Sequence, residues 1–389
     1  MASDIGRVLE PQQALPINSE GTPEPYPNWT SNEKFNVLLV GLDTRPGEPA
    51  HTDTLILVSV DPQNKVVGML SIPRDLWVEI PGYGQERINA AYAIGEARSQ
   101  GSGMQLLKAT LARVLGVTVH YYAMVDYRGL VKVVDTIGGV TVDVNMPIKD
   151  DEFPTEDYGY TRIYIPAGLQ HMDGTMAMQY ARSRHADNDF GRSKRQQQIL
   201  MAIRDQGVRL DLFPKLPTLI SNLADTVRTD LNILQIGSLA RLGLQIPKEN
   251  VVQAAIDEHF TTPYTTPEGA AVLLPRMELI RPLVKVVTER PGLLKERASV
   301  QVQNGTDAQG LAARWAKSLQ EAGFTVVGTA QAQQANDGPT YLLDFGDHPL
   351  TVAALKEVLG NVRVEKPTEP STGVDIIVLL GRDAIGRNP

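Results

Sequence analysis

Aspartates and arginines at the ends of apolar runs are the residues of this 389-residue chain whose types and spacing can do chemistry. The run FNVLLVGLD ends in Asp43, and TDTLILVSVDP carries Asp53 two residues after His51. Two hard carboxylates brought to one sheet edge suit Mg2+, which keeps its waters and takes further ligands from phosphate. Asp43 can equally begin a turn, and Asp53 can cap a strand. A third run ends SIPRD, where Pro73 stops the ladder and presents Arg74 from a stiff backbone. Arg74 can also pair with Asp75 or Glu79 at the surface. In QERINAAY, Arg87 and Asn89 stand at an expected helix start, where backbone N–H groups favour an anion. The same residues also read as an ordinary helix capped by Asn89.

The densest signal is YARSRHADNDFGRSKRQQQ, residues 180–198. It sets Arg182, Arg184, Arg192, Lys194 and Arg195 against Asp187 and Asp189, a local positive excess in a chain of net charge −8. Arg182 and Arg184 share one side of an extended stretch. Arg192 and Gln196 share one face of a helix. A guanidinium grips phosphate through two parallel hydrogen bonds, although a charge run is also commonly solvated surface. Arginines at several element ends, together with two candidate Mg2+ carboxylates, point to a site for two linked phosphates. Such a site works by positioning groups and neutralising charge.

Other chemistries are excluded or disfavoured. Cysteine is absent, which removes disulfides, thiolate metal sites and a cysteine nucleophile. There is no P-loop and no nucleophile elbow, and the six histidines never fall in a metal-ligand spacing. An acidic chain lacks the field of a nucleic-acid coat, and no recognition-helix motif appears. With 42% apolar and 21% charged residues, the chain can bury a proper core.

The elements that must position these groups alternate between strand and helix. Apolar runs over 35–42, 54–60 and 66–72 read as strands, the last two forming a hairpin around Asp61-Pro62-Gln63-Asn64. Helical periods follow over 88–97, 104–115 and 127–137, the last stopped by Gly138-Gly139. Strands over 122–125 and 140–144, a helix capped by Asp173, and a helix over 192–206 complete the pattern. This predicts an α/β fold, an α-β-α sandwich around a mixed central sheet, over residues 34–290. Residues 1–33 are rich in proline and read as an extended linker that packs no core. A small α+β domain is expected over 298–382, after a joint at 285–297.

The motifs NVLLVGLD, TDTLILVSVDP, SIPRD, RINAAY, DTIGGV, PAGLQHMDGTMAMQYARSR and DFGRSKRQQQ, in this order over about 35–290, resemble the LytR-CpsA-Psr family of bacterial cell-wall glycopolymer ligases. The second domain is similar to the small C-terminal LytR-type domain that some members carry. The resemblance implies a phosphotransferase on the outer face of the cell membrane. It would move a glycopolymer, such as teichoic acid or capsule, with one phosphate from a polyprenyl-diphosphate carrier onto a peptidoglycan hydroxyl. It implies Asp43 and Asp53 as Mg2+ ligands. Arg74, Arg87, Arg182, Arg184, Arg192 and Gln196 would hold the diphosphate, with Asp189 orienting them, and Arg74, Asp53 and Arg182 would sit closest to the chemistry. It also implies a single N-terminal membrane helix, which this sequence does not contain, with the proline-rich opening as its stalk. No apolar run here reaches the ~18 residues a membrane helix needs.

Two positions depart from the family pattern. His51 stands where many members have arginine, and Arg87 where many have lysine. A prenyl carrier also needs an apolar channel. Leu107, Leu111, Val114 and Leu115 with Leu130, Val131 and Val134 are candidates, though a leucine stripe at helical spacing is also ordinary core. Two alternatives remain open: a pyrophosphatase that uses water as acceptor, and a non-catalytic glycopolymer-binding or regulatory envelope protein.

Overall fold

The computed structural model describes residues 15–18, 20–26, 33–43, 50–155, 159–183, 189–209, 227–367 and 373–387. It divides into two compact units, Met1–Ile280 and Arg281–Pro389.

In the first unit, β1 (Phe35–Asp43), β2 (His51–Asp61) and β3 (Val66–Ile72) are followed by a small hairpin of β4 (Trp77–Ile80) and β5 (Gly84–Arg87). Helices α1 (Ala90–Arg98) and α2 (Gly103–Leu115) lead to β6 (Tyr121–Asp126), α3 (Tyr127–Thr136) and β7 (Val140–Val144). Then come β8 (Ile148–Pro154), β9 (Tyr160–Ile165), β10 (Gly168–Met172), α4 (Gly174–Arg182) and α5 (Asp189–Arg209). The unit closes with β11 (Val227–Thr229), α6 (Ile233–Gln245), β12 (Val251–Ala255), β13 (Thr261–Thr265) and β14 (Ala271–Pro275). The division between units falls within α7 (Met277–Glu289).

Six strands make one mixed sheet in the order β11-β6-β1-β2-β3-β12. β1 runs parallel to β6 and β12 parallel to β3, while β2 is antiparallel to both β1 and β3. Hence β6, β1, β3 and β12 all end at one edge of the sheet, and β2 begins there. Successive residues of β2, Leu55, Ile56 and Leu57, are all within 1% of full burial. Because neighbours on a strand point to opposite faces, the sheet is covered on both sides, which is why its strands read as unbroken apolar runs. The turn after β2 is fixed by Asp61, whose carboxylate accepts from the backbone N–H of Asn64 at 3.0 Å. Asp126 and Asp173 cap α3 and α4 by accepting from Gly129 N–H and Met176 N–H. Beyond α3 the chain turns through Gly138 and Gly139, both with φ near +80°.

Two expectations are corrected. Arg87 does not begin a helix: it ends β5, and the helix starts at Ala90 with Asn89 before it making no side-chain cap. The proline-rich opening does pack in part. Ile17 bridges Pro23, the Tyr26 ring stacks on Tyr121 at 5.4 Å, and Glu24 accepts from the Thr118 hydroxyl at 2.9 Å. Among the described residues, no helix is long and apolar enough to cross a membrane.

The second unit contains α8 (Pro291–Glu296), β15 (Ser299–Asn304), α9 (Leu311–Glu321), β16 (Thr325–Gln331) and β17 (Tyr341–Asp344), then α10 (Pro349–Leu359), β18 (Arg363–Glu365) and β19 (Ile376–Leu380). Its sheet has the order β16-β15-β19-β17-β18. The buried Trp315 and Leu319 of α9 share a core with Val300, Val302, Ile376 and Val378. Glu296 caps α10, accepting from the N–H groups of Leu350 and Thr351 at 2.8 and 2.7 Å.

Candidate active site at the strand ends

The edge at which β6, β1 and β3 end is where the sequence places its aspartates and arginines. In open α/β sheets this carboxyl edge is where ligands bind. Asp43 closes β1 opposite His51, which is exposed. Gly41 pairs with Thr54 and Leu42 with Thr52, so Asp53 is an extra residue, a β-bulge. In an unbroken ladder Asp53 would stand opposite Leu42, on the other face from Asp43. Gly41 allows the two strands to close here: a Cβ on it would lie 2.8 Å from the Thr54 Cβ.

Arg74 follows β3 at the same edge. Its Nη1 donates to both oxygens of the buried Asp53 carboxylate, at 2.8 and 2.9 Å. Asp75 lies between two cations, 3.4 Å from Arg74 Nε and 3.5 Å from Arg87 Nε. Arg87 also donates to the Ala271 carbonyl at 2.9 Å.

Arg182 is the last residue of α4, in a helix rather than an extended stretch. Its guanidinium lies 4.1 Å from the centre of the Tyr127 ring and 5.5 Å from that of Phe153. Arg192 is nearly buried on α5, and Gln196 one turn later donates to the Ala181 carbonyl. Arg195 fixes the end of α4 by donating to the carbonyls of Tyr180 and Ser183. The Ser183 hydroxyl donates to the buried Asp150 of β8 at 2.9 Å. Arg184 lies outside the described residues. Asp189 opens α5, and its side chain is outside them also.

Tyr127 ties the two halves of the site together. Burial first, then Asp53 and Asp43, push its phenol up to about 12, while Arg182 and Arg192 pull it the other way. Both carboxylates and both arginines thus act on this phenol. The sequence reading named Asp75 as a partner of Arg74, which the structure pairs with it, but did not single out Tyr127 or Phe153. Tyr127 carries a recoverable signal, since it directly follows a strand that ends at the site edge.

The donors fit a divalent cation in kind. Asp43 and Asp53 supply hard oxygens from adjacent strands, and one is already shared with a guanidinium. Among the described residues no group of three or more acidic or histidine side chains could hold a metal. Two carboxylates alone would leave most of a Mg2+ shell to waters and phosphate oxygens. Of the candidate channel residues, Leu107, Leu111 and Val134 have no accessible surface and Leu115 has 3%, while Val114, Leu130 and Val131 are partly exposed.

A profile described as the LytR_cpsA_psr family matches residues 10–274, and one described as LytR cell envelope-related transcriptional attenuator matches 297–383. The chain is 34% identical over 199 residues to the regulatory protein MsrR of Staphylococcus aureus (strain COL), covering 51% of this chain and 57% of MsrR. It therefore spans little more than half the length of that relative. It is 31% identical over 241 residues to the polyisoprenyl-teichoic acid–peptidoglycan teichoic acid transferase TagU of Oceanobacillus iheyensis, covering 61% of this chain and 69% of TagU. The crystal structure of B. subtilis TagV superposes with a TM-score of 0.54 at 27% identity, over 66% of this chain and 97% of that one.

Proposed function

The chain belongs to the LytR-CpsA-Psr family, and from that premise we propose that it is a phosphotransferase of the cell envelope. It moves a glycopolymer with one phosphate from a polyprenyl-diphosphate carrier to a peptidoglycan hydroxyl. The observation that carries this reading is the pairing of Arg74 with Asp53 at the carboxyl edge of the sheet, with Arg182 resting on the ring of Tyr127, the residue that follows β6 at the same edge. The name of the relative TagU supports teichoic acid as the class of polymer.

On this reading Arg182 and Arg192 hold the diphosphate from the helical side, and Arg74 reaches it from the strand side. Their guanidinium groups neutralise the charge that gathers on the leaving prenyl phosphate as the acceptor oxygen attacks the polymer-linked phosphorus. Asp43 and Asp53 would hold Mg2+, which supplies charge neutralisation at the phosphate oxygens. Arg87, clamped by Asp75, shapes the rim, and Gln196 fixes the chain beside Arg182. The partly exposed Val114, Leu130 and Val131 are the remaining candidates for contact with the prenyl chain. The protein works on the outer face of the membrane that holds the carrier, and release of prenyl phosphate to water is its side reaction.

Arg74→Ala and Arg182→Ala test the reading, with turnover of a polyprenyl-diphosphate glycan followed by mass spectrometry. Each is expected to lower turnover more than 100-fold, the scale of losing one group that stabilises transition-state charge, with unchanged far-UV circular dichroism. Full turnover in both variants ends it. Omitting peptidoglycan fragments separates transfer from hydrolysis. Omitting Mg2+ measures the dependence on the metal.

A further inference from the structure

The site holds its cations in two different ways. Arg74 lies against Asp53 and Asp75, and Arg87 against Asp75. Each guanidinium on the strand side therefore has carboxylate oxygens beside it. Arg182 does not. Among the described residues no aspartate or glutamate lies within ion-pair distance of it, and its polar contact is Nη1 to the Met178 sulfur at 3.8 Å. Two aromatic rings flank it instead, Tyr127 at 4.1 Å and Phe153 at 5.5 Å from the guanidinium carbon.

We infer that Tyr127 and Phe153 are positioning residues that form an aromatic clamp, presenting Arg182 to a bound phosphate with its edge donors not taken by a carboxylate. A guanidinium is planar and weakly hydrated, so its face stacks on a ring while its N–H groups stay in the plane. A carboxylate in the same place would fix the cation but occupy those donors and cancel its charge. The ring faces fix it without doing either.

The rings come from two separately anchored elements. Tyr127 is the first residue of α3, whose start is fixed by the Asp126 cap. Phe153 is buried on β8, the strand whose Asp150 accepts from Ser183, the residue after Arg182. Arg195 closes the arrangement from α5. The clamp is therefore assembled by the same contacts that fix the backbone at Arg182, and the guanidinium needs little reordering when an anion arrives.

This inference rests on the phosphate-holding reading, and its test separates the two. Inorganic pyrophosphate is titrated calorimetrically into the full chain and into R182A, R182K, Y127F, Y127L and the double variant Y127L/R182A, each checked by thermal melting. Arg182→Ala is expected to weaken binding at least tenfold. Tyr127→Leu should weaken it about tenfold, the size of one part-desolvated cation–π contact. Tyr127→Phe, which keeps the ring, should stay within about threefold. Arg182→Lys keeps the charge and leaves both rings in place, so it reports on stacking even if Tyr127→Leu fails to fold, and it should fall close to R182A. In the R182A background, Tyr127→Leu should cost nothing more. Unchanged binding in R182A would sink the phosphate-holding reading and the clamp with it. Weakened R182A with wild-type binding in Y127L or R182K, or with additive losses in the double variant, would overturn the clamp alone.

Discussion

The two edges of the central sheet both pair a buried carboxylate with a cation, but among the described residues only one of them also sets a guanidinium on aromatic rings. At the edge where β6 and β1 begin, Lys108 of α2 donates to Asp230 at 2.8 Å and to the His120 carbonyl at 3.3 Å. The other Asp230 oxygen accepts from Tyr122 N–H at 2.9 Å, and His120 Nδ1 accepts from Asn36 N–H at 2.9 Å. Lys108 and Asp230 there answer each other directly. At the edge where the same strands end, Asp75 is shared between Arg74 and Arg87, and Arg182 rests on rings. The first arrangement holds the sheet together. On the proposed reading, the second holds charge ready for a phosphate. A charged residue at a strand end therefore says little by itself; what its partners leave over distinguishes structure from function.

Breaking the balanced edge should cost stability and leave chemistry alone. Asp230→Ala strands the Lys108 ammonium and the Tyr122 N–H, and about 3–5 kcal/mol of unfolding free energy should be lost. Arg182→Ala at the opposite edge should change it by less than about 1 kcal/mol. Urea denaturation of both variants checks the contrast, and equal losses would erase it.

The balanced edge should also carry the acid sensitivity. Burial first, and Lys108 further, lower the His120 pKa from 6.5 to about 4, although Glu24 opposes them. The unfolded chain therefore binds this proton more readily. The stability due to neutral His120 is complete above about pH 6.5 and is lost as pH falls towards 4, by at most about 3 kcal/mol. His120→Asn should flatten the curve between those limits relative to the parent. A difference that persists unchanged would assign the effect elsewhere.

The smallest effect concerns the N-terminal segment. Tyr26→Ala removes the stack on Tyr121 and should cost about 1–2 kcal/mol, with turnover at the far edge unaltered. A change in turnover would show that the two edges are coupled.

The sheet was legible because its strands are buried on both faces, so 35–42, 54–60 and 66–72 stand out as unbroken apolar runs. Asp173 and Gly138-Gly139 likewise announce helix ends through local chemistry. The β4–β5 and β8–β9 hairpins were not legible. Strands such as Tyr160–Ile165 bury only alternate or fewer residues and carry tyrosine, threonine and arginine outward. The proline-rich opening misled for a related reason: composition speaks against a core, but one stacked ring and one carboxylate dock a segment without one. The site's charged members could be named from strand and helix ends. Of its aromatic members, Tyr127 could be placed at the edge because it follows β6, but its meeting with Arg182 and Phe153 could not, because these residues come together only in the folded chain.

The odd residue between β1 and β2 has a consequence of its own. Side chains along a ladder obey a parity rule, and the unmatched Asp53 resets that parity one step from the end of β1. Lose Asp53 and the strands can still zip, apolar row against apolar row. The acid, however, would be swapped for a threonine at the point that receives Arg74. The fold would then tolerate a deletion that the chemistry cannot, so a shortened chain that melts normally yet never turns over is the signature to look for.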